Sequence, residues 1–281
     1  MAVSTEPMSE APPLDPAAPV AADKPKTDEG SFVWFLVKLV VAVVLFRTLL
    51  FTSFMIPSES MMPRLLTGDY LFAAKWPYGY SRASLPFDLD VGGGRLFGDL
   101  PARGDVVIFK HPVDRSDYVK RVIGLPGDTV QMVAGVLHLN GVPVQKRRIA
   151  DFVVPIAADE GCRGVRFTRK LAGGGFACSY PQFRETLPGG ASYNVLDLGL
   201  LPQDTTPPVV VPEGRLFLMG DNRDNSLDSR FPAVAQQGIG LVPVDNVAGQ
   251  ASFMFFSTSS RWGSPSTWLS GIRWRRMGRA I

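Results

Sequence analysis

Three short segments of this 281-residue chain carry side chains whose types and spacing could do chemistry. The first, FMIPSESMMPRLLTGDY (54–70), puts Ser58 and Ser60 directly after a long apolar stretch and before the helix-compatible MMPRLL. A serine hydroxyl becomes a nucleophile when a base stands within hydrogen-bond reach; the same serines also suit a helix N-cap. The second, DYVKRVIGLPGD (117–128), sets Lys120 among Tyr118, Val119, Val122 and Ile123. On a strand, Tyr118, Lys120 and Val122 share one face, while Val119, Arg121 and Ile123 share the other. Adjacent Lys120 and Arg121 therefore place a charge on each face, so at least one of them enters the protein. A lysine buried among apolar atoms loses solvation of its charged form, and its pKa falls from ~10.4 by up to 3–5 units. It can then serve as an uncharged base near neutral pH. The competing role for Lys120 is the solvated face of an edge strand.

The third segment, GDNRDNSLDSR (220–230), holds three Asp, two Asn and two Arg straight after the apolar RLFLMG. It is too polar for a strand. It fails as an EF-hand, because Arg223, Ser226 and Pro232 fall at positions 3, 6 and 12 counted from Asp221. It reads as a buried hydrogen-bonded network that fixes geometry, with a solvated turn as the alternative. The two histidines, His111 in a KHP turn and His138 in a hairpin strand, carry no Ser-His-Asp motif. Ser-Lys is a known variant of that scheme. Its lysine needs no carboxylate beside it, since an acid there would raise its pKa.

These segments must be held by something. Residues 1–30 are rich in Pro, Ala and acids and read as a disordered tail. Phe32 to Ile56 follows, 25 residues with 17 Leu, Ile, Phe or Val, long enough as a helix to cross a bilayer core of about 30 Å. Lys38 lies near its start and Arg47 deeper, where a charge is costlier. The preceding stretch is too long and acidic for a signal-peptide n-region, and no A-x-A site follows, so the segment reads as an uncleaved anchor. Lys24 and Lys26 on one side face Arg64 and Lys75 on the other, which leaves its orientation open. Beyond it, residues 69–75, 104–110, 117–124, 128–133, 215–220 and 246–256 read as strands. Residues 136–144 read as a hairpin turning at Asn140-Gly141, and Leu125–Asp128 as a tight turn with Gly127 suited to positive φ.

The expected fold is mostly β: one transmembrane helix, then a membrane-anchored domain of antiparallel sheets with a smaller β-subdomain inserted. The boundaries are a tail at 1–30, an anchor at 31–53, the main domain at 54–146 and 213–260, the insertion at 147–212, and a basic Trp/Arg segment at 261–281. That last segment suits either a membrane interface or a solvated tail. Balanced charge, 29 basic against 26 acidic residues, gives no nucleic-acid surface. Hydrophobic residues make up 46%, and the mean hydropathy is +0.10. Cys162 and Cys178, with no other Cys or nearby His, make no zinc site; they are either a disulfide or two buried thiols.

In this order, just after a membrane anchor, the PSESM, YVKR–GLPGD and GDNRDNS segments resemble the characteristic boxes of bacterial type I signal peptidases (leader peptidases), a Ser-Lys serine protease family. The resemblance runs from roughly Phe46 to Phe256, loosely over 80–100 and 147–212. It implies Ser60 as nucleophile and Lys120 as general base, with the Ser58 hydroxyl and the Ser60 backbone N–H as the oxyanion hole. Ser226 would hydrogen-bond the lysine amine, Asp228 and Arg230 would brace the site, and Asp221 and Arg121 would support it. Phe54, Ile56, Pro57, Met61, Leu65, Tyr118 and Val119 match positions lining shallow substrate pockets. One departure stands out: Glu59 occupies a place where the family often has Gly. A glutamate fits there with negative φ, and its carboxylate opposes an oxyanion unless it points away.

The resemblance also implies no cofactor and no metal. The implied substrates are signal-peptide-bearing pre-proteins, cut after small residues at −1 and −3, and the other partner is membrane lipid. The implied place is the bacterial inner membrane, single-pass, with a cytoplasmic N-terminus and a periplasmic catalytic domain. Two other readings remain: a specialised maturase of one pilus or conjugation protein, and a non-catalytic membrane-tethered β binding module.

Overall fold

The computed structural model describes residues 29–85, 92, 94–156, 161–259 and 269–281. Most of the expected tail, part of the Gly-rich 80–100 stretch and the start of the basic C-terminal segment lie outside these. Helix α1 (Glu29–Leu45) continues as a π-helical turn over Phe46–Leu50. Ser31–Leu50 is long and apolar enough to cross a membrane. The expected anchor helix ran on to Ile56, but the chain becomes a strand at Phe51, where aromatic and β-branched residues find partners in a neighbouring strand. The shorter span corrects the position of Arg47, which falls in the last turn rather than deep inside. A cation there can extend towards the interface and faces the negative end of the helix dipole.

The strands are β1 (Phe51–Met55), β2 (Asp69–Ala74), β3 (Val106–Lys110), β4 (Asp117–Gly124), β5 (Thr129–Val133), β6 (Val136–Leu139), β7 (Val142–Pro143) and β8 (Gln145–Ile156). They continue with β9 (Thr168–Lys170), β10 (Phe176–Thr186), β11 (Ser192–Leu196), β12 (Val209–Val210), β13 (Arg215–Met219), β14 (Val242–Pro243) and β15 (Val247–Ser257). The main antiparallel sheet runs β1-β2-β15-β3-β4-β13-β14. A second sheet, β11-β10-β8 with β9 beside β10, is built within the interrupting stretch, while β12 joins β5, β6 and β7 in a third. The β6–β7 hairpin turns at Asn140 and Gly141, both with positive φ (54° and 78°), as a type I′ turn requires.

Period-two patterning decides which faces are buried. On β3, Val106 and Ile108 enter one core cluster with Ile56, Met61, Leu65 and Val119. Val107 and Phe109 enter another with Val122, Leu216 and Leu218. Burying a side chain of this size is worth about 1.5–3 kcal/mol, and because β3 is buried on both faces, alternation decides which of the two clusters each residue enters. Both charges of the Lys120–Arg121 pair are buried. Cys162 and Cys178 form a disulfide that ties the loop after β8 to β10, Cα to Cα 5.5 Å. The described part of the C-terminal segment is no free tail: Arg276 pairs with the buried Asp69 at 2.6 Å, and Ala280 bridges to Phe253.

Candidate active site

Ser60 reaches its place because the chain on either side of it is pinned. The backbone N–H of Ile56 donates to Asp69 O (2.8 Å) and that of Gly68 to Ile56 O (2.9 Å), closing the loop that leaves β1. Met61 and Leu65 are buried below it, and Leu65 N donates to Met61 O (2.9 Å), so MMPRLL forms one turn. From the other side, Asn222 donates its backbone N–H to Ser60 O (3.0 Å) and its side-chain amide to Glu59 O (3.1 Å). This approach is close enough to require glycine at 220: a Cβ there would lie 2.3 Å from Ser226 Oγ and 2.5 Å from Ser60 O.

Lys120, on β4 opposite Val107 of β3, crosses to the same place. Its Nζ donates to Ser60 Oγ at 2.6 Å, and the lysine is only 3% exposed. Burial drives its pKa down to about 8; the nearby Asp228 and Asp221 charges pull it back up, and Arg230 lowers it again. An uncharged amine at this distance can accept a hydroxyl proton along the same line. Ser58 Oγ stands 3.3 Å from Ser60 Oγ.

Buried ion pairs hold the polar segment behind them. Arg121 clamps Asp221 through two bonds, 2.7 and 2.6 Å. Arg223 clamps Glu185 of β10 through bonds of 2.8 and 2.5 Å. Asp228 accepts from Gly220 N (3.0 Å) and Arg230 Nε (2.8 Å). Burial alone would raise the Asp228 pKa, but Arg230 and these bonds hold it below the usual carboxylate range. Such pairs contribute little net stability, yet breaking one strands its partner charge, so they act here as geometric constraints. The Ser226 hydroxyl departs from expectation. It lies near Asp228 and helps keep that carboxylate ionised, but no atom meets it at full hydrogen-bonding geometry, Lys120 included.

A cavity of about 650 Å³ opens in front of Ser60 and Lys120. Phe54, Ile56, Pro57, Tyr118 and Val119 line it. Met61 and Leu65 do not: both are fully buried in the core beneath, because the turn after Ser60 directs them inward. Glu59 avoids positive φ. Its carboxylate accepts from Asn225 Nδ2 (2.9 Å) and faces Arg163 at 3.7 Å, so its charge is partnered away from Ser58 and Ser60. Sequence reasoning missed Ile108 and Phe231 on the cavity wall, Glu185 behind Arg223, and the anchoring amide of Asn222. The Asn pair in the polar segment was the one available signal.

Neither histidine competes for the serine. His111 Nδ1 accepts the backbone N–H of Val113 (3.2 Å), and His138 sits in the third sheet opposite Gln131. Among the described residues, no group of three or more His, Cys, Asp or Glu could hold a metal. The arrangement can therefore do base-assisted nucleophilic attack by a serine on a carbonyl held in an apolar cavity.

The family model described as "Signal peptidase, peptidase S26" matches residues 30–256. A protein named signal peptidase I from Rickettsia massiliae is 35% identical over 277 residues, covering 91% of this chain and 93% of its own. One of the same name from Rickettsia typhi is 35% identical over 247 residues, covering 84% and 83%. A crystal structure of a signal peptidase I from Enterococcus faecalis is 24% identical and covers 55% of this chain and 98% of its own. Its TM-score of 0.28 is too low to bear on the fold.

Proposed function

Because this chain belongs to the signal peptidase family, peptidase S26, and so to the enzymes that remove signal peptides, we propose that Ser60 is its nucleophile and an uncharged Lys120 its general base. The observation that carries this is the 2.6 Å contact between Lys120 Nζ and Ser60 Oγ inside the fold. As Ser60 Oγ attacks the scissile carbonyl, its proton passes to the lysine amine. The Ser58 hydroxyl and the Ser60 backbone N–H stabilise the oxyanion that develops. The ammonium then protonates the leaving amine, releasing the mature protein and leaving an acyl-serine. A water, deprotonated by the same amine, hydrolyses that ester and frees the signal peptide.

Burial supplies the reactive amine. At pH 7, a pKa of about 8 leaves roughly one lysine in ten uncharged, against roughly one in three thousand at the ordinary 10.5. The apolar wall of Phe54, Ile56, Tyr118 and Val119 favours small side chains at −1 and −3. The helix over Ser31–Leu50 anchors the enzyme with its N-terminus cytoplasmic and its catalytic sheets on the periplasmic side, where signal peptides emerge. Exposed Met55 and Trp76, close in sequence to that helix or to β2, suit contact with lipid.

The test is a labelled pre-protein in detergent with Ser60→Ala and Lys120→Ala. Both variants should fold and neither should cut. Cleavage by Ser60→Ala would refute the assignment.

A further inference from the structure

A helix leaves its final carbonyls without partners of its own, and in lipid each would be costly. Here all five carbonyls of the π-helical turn are met. Phe46 O accepts from Phe51 N, inside the turn itself. Arg47 O accepts from Lys75 Nζ at 2.7 Å and Thr48 O from the same amine at 3.3 Å. Leu49 O accepts from the Tyr80 hydroxyl at 2.7 Å, and Leu50 O from the backbone N–H of Lys75 at 3.0 Å. Thr52 Oγ1 also reaches Arg47 O, at 3.4 Å; apart from Phe51 and Thr52, the donors lie at the end of β2 or just beyond it, about thirty residues downstream.

Lys75 is built into this role. It is 5% exposed, and burial, with the Arg47 charge adding to it, lowers its pKa to about 8. Phe51 packs edge-on against Trp76 at 4.8 Å and Phe72 at 5.8 Å, closing the apolar side of the junction. No slack follows. Phe51–Met55 is paired along its whole length with Tyr70–Ala74, and Ile56 is bonded to Asp69. Ser60 thus lies ten residues from Leu50 along a path fixed at both ends, with a reach of at most about 35 Å.

On the reading that this is a membrane-anchored protease, we propose that Lys75, assisted by Tyr80, is a positioning residue: it fastens the last turn of the anchor to β2 and so fixes the height at which Ser60 meets a membrane-inserted pre-protein. The catalytic pair itself does not depend on it, since Lys75 touches neither Ser60 nor Lys120.

The experiment uses the full chain reconstituted in lipid vesicles, with Lys75→Met, Lys75→Arg and Tyr80→Phe beside wild type. Each is assayed on a short soluble peptide bearing the cleavage site and on a pre-protein inserted in the same vesicles. Lys75→Met should keep kcat/KM on the peptide within about 2-fold. On the inserted pre-protein it should lose at least about 10-fold, or cut at an additional bond. Lys75→Arg, which can reach the same carbonyls, should restore most of that loss. Tyr80→Phe, a single-oxygen change that leaves packing intact, should shift the ratio of the two activities in the same direction by a smaller amount.

Parallel loss on both substrates would overturn the inference in favour of a purely structural lysine, as would no change on either or no rescue by arginine. A wild type that cuts neither substrate would overturn the proteolytic reading and this inference with it. A wild type that cuts both, with variants indistinguishable from it, would overturn the inference alone.

Discussion

Replacing Lys120 by methionine removes the amine while keeping the length and apolar stem of the side chain. Activity should vanish, and the fold should become more stable. In the folded protein the amine titrates at about 8, against 10.5 for a free lysine. The gap, 10.5 − 8, is about 2.5 units, and at 1.36 kcal/mol per unit it corresponds to about 3 kcal/mol. Below pH 8 both folded and unfolded chains carry the proton, and the buried ammonium costs the fold that full amount. Between 8 and 10.5 the unfolded chain still binds a proton that the folded chain has released, so wild-type stability rises with pH. Above 10.5 the penalty is gone. Urea unfolding of wild type and Lys120→Met at pH 7, 9 and 10.5 measures the difference, in which every other titrating group cancels. The advantage of the variant should shrink by about 3 kcal/mol across that range. A difference that stays flat with pH would refute the buried-amine argument, whatever happened to activity.

Other perturbations follow from the same geometry. Glu185→Gln leaves Arg223 buried without its counter-charge and should cost about 3–5 kcal/mol in chemical unfolding. Gly220→Ala forces a methyl to within 2.5 Å of Ser60 O. A displacement of Ser60 by about 1 Å should, on the proposed mechanism, lower kcat by roughly 100-fold, while KM for the pre-protein changes little. Reducing the Cys162–Cys178 disulfide, 16 residues apart in sequence, should lower stability by about 3 kcal/mol with the serine and lysine undisturbed. Parallel unfolding and cleavage assays under a reductant would show that separation.

What the sequence made legible was chiefly what periodicity and local chemistry determine. Strand β4 occupies the residues expected of it, Asp117–Gly124, because a short run rich in β-branched and aromatic residues bounded by turn formers leaves few other options. The Asn140-Gly141 turn follows from an equally local signal, whereas the proximity of Ser60 to Lys120, 60 residues apart, was implied only by the family resemblance. The strand Phe51–Met55 did not, because an apolar run without alternation reads equally well as more helix. Only its pairing with β2, from Phe51 with Ala74 to Met55 with Tyr70, decides the matter. Met61 and Leu65 were expected on the cavity wall because they match positions that line the family's pockets, whereas the tight turn after Ser60 sends them into the core. Long-range pairs were invisible for a different reason. Arg223 meets Glu185 across 38 residues and Arg276 meets Asp69 across 207, and nothing in the local sequence marks either partner. Ser226 shows the limit at finer scale: its residue type was readable, but not which way its hydroxyl would turn.

The central claim, that a buried amine with its pKa lowered to about 8 removes the proton from Ser60 in its uncharged form, is tested most directly by the pH dependence of kcat/KM on a labelled pre-protein. The profile should rise along a limb with an apparent pKa of about 8, the value burial gives Lys120 in the free enzyme. A limb at the ordinary lysine value of about 10.4 would mean that the base is not held out of water, and would contradict the account.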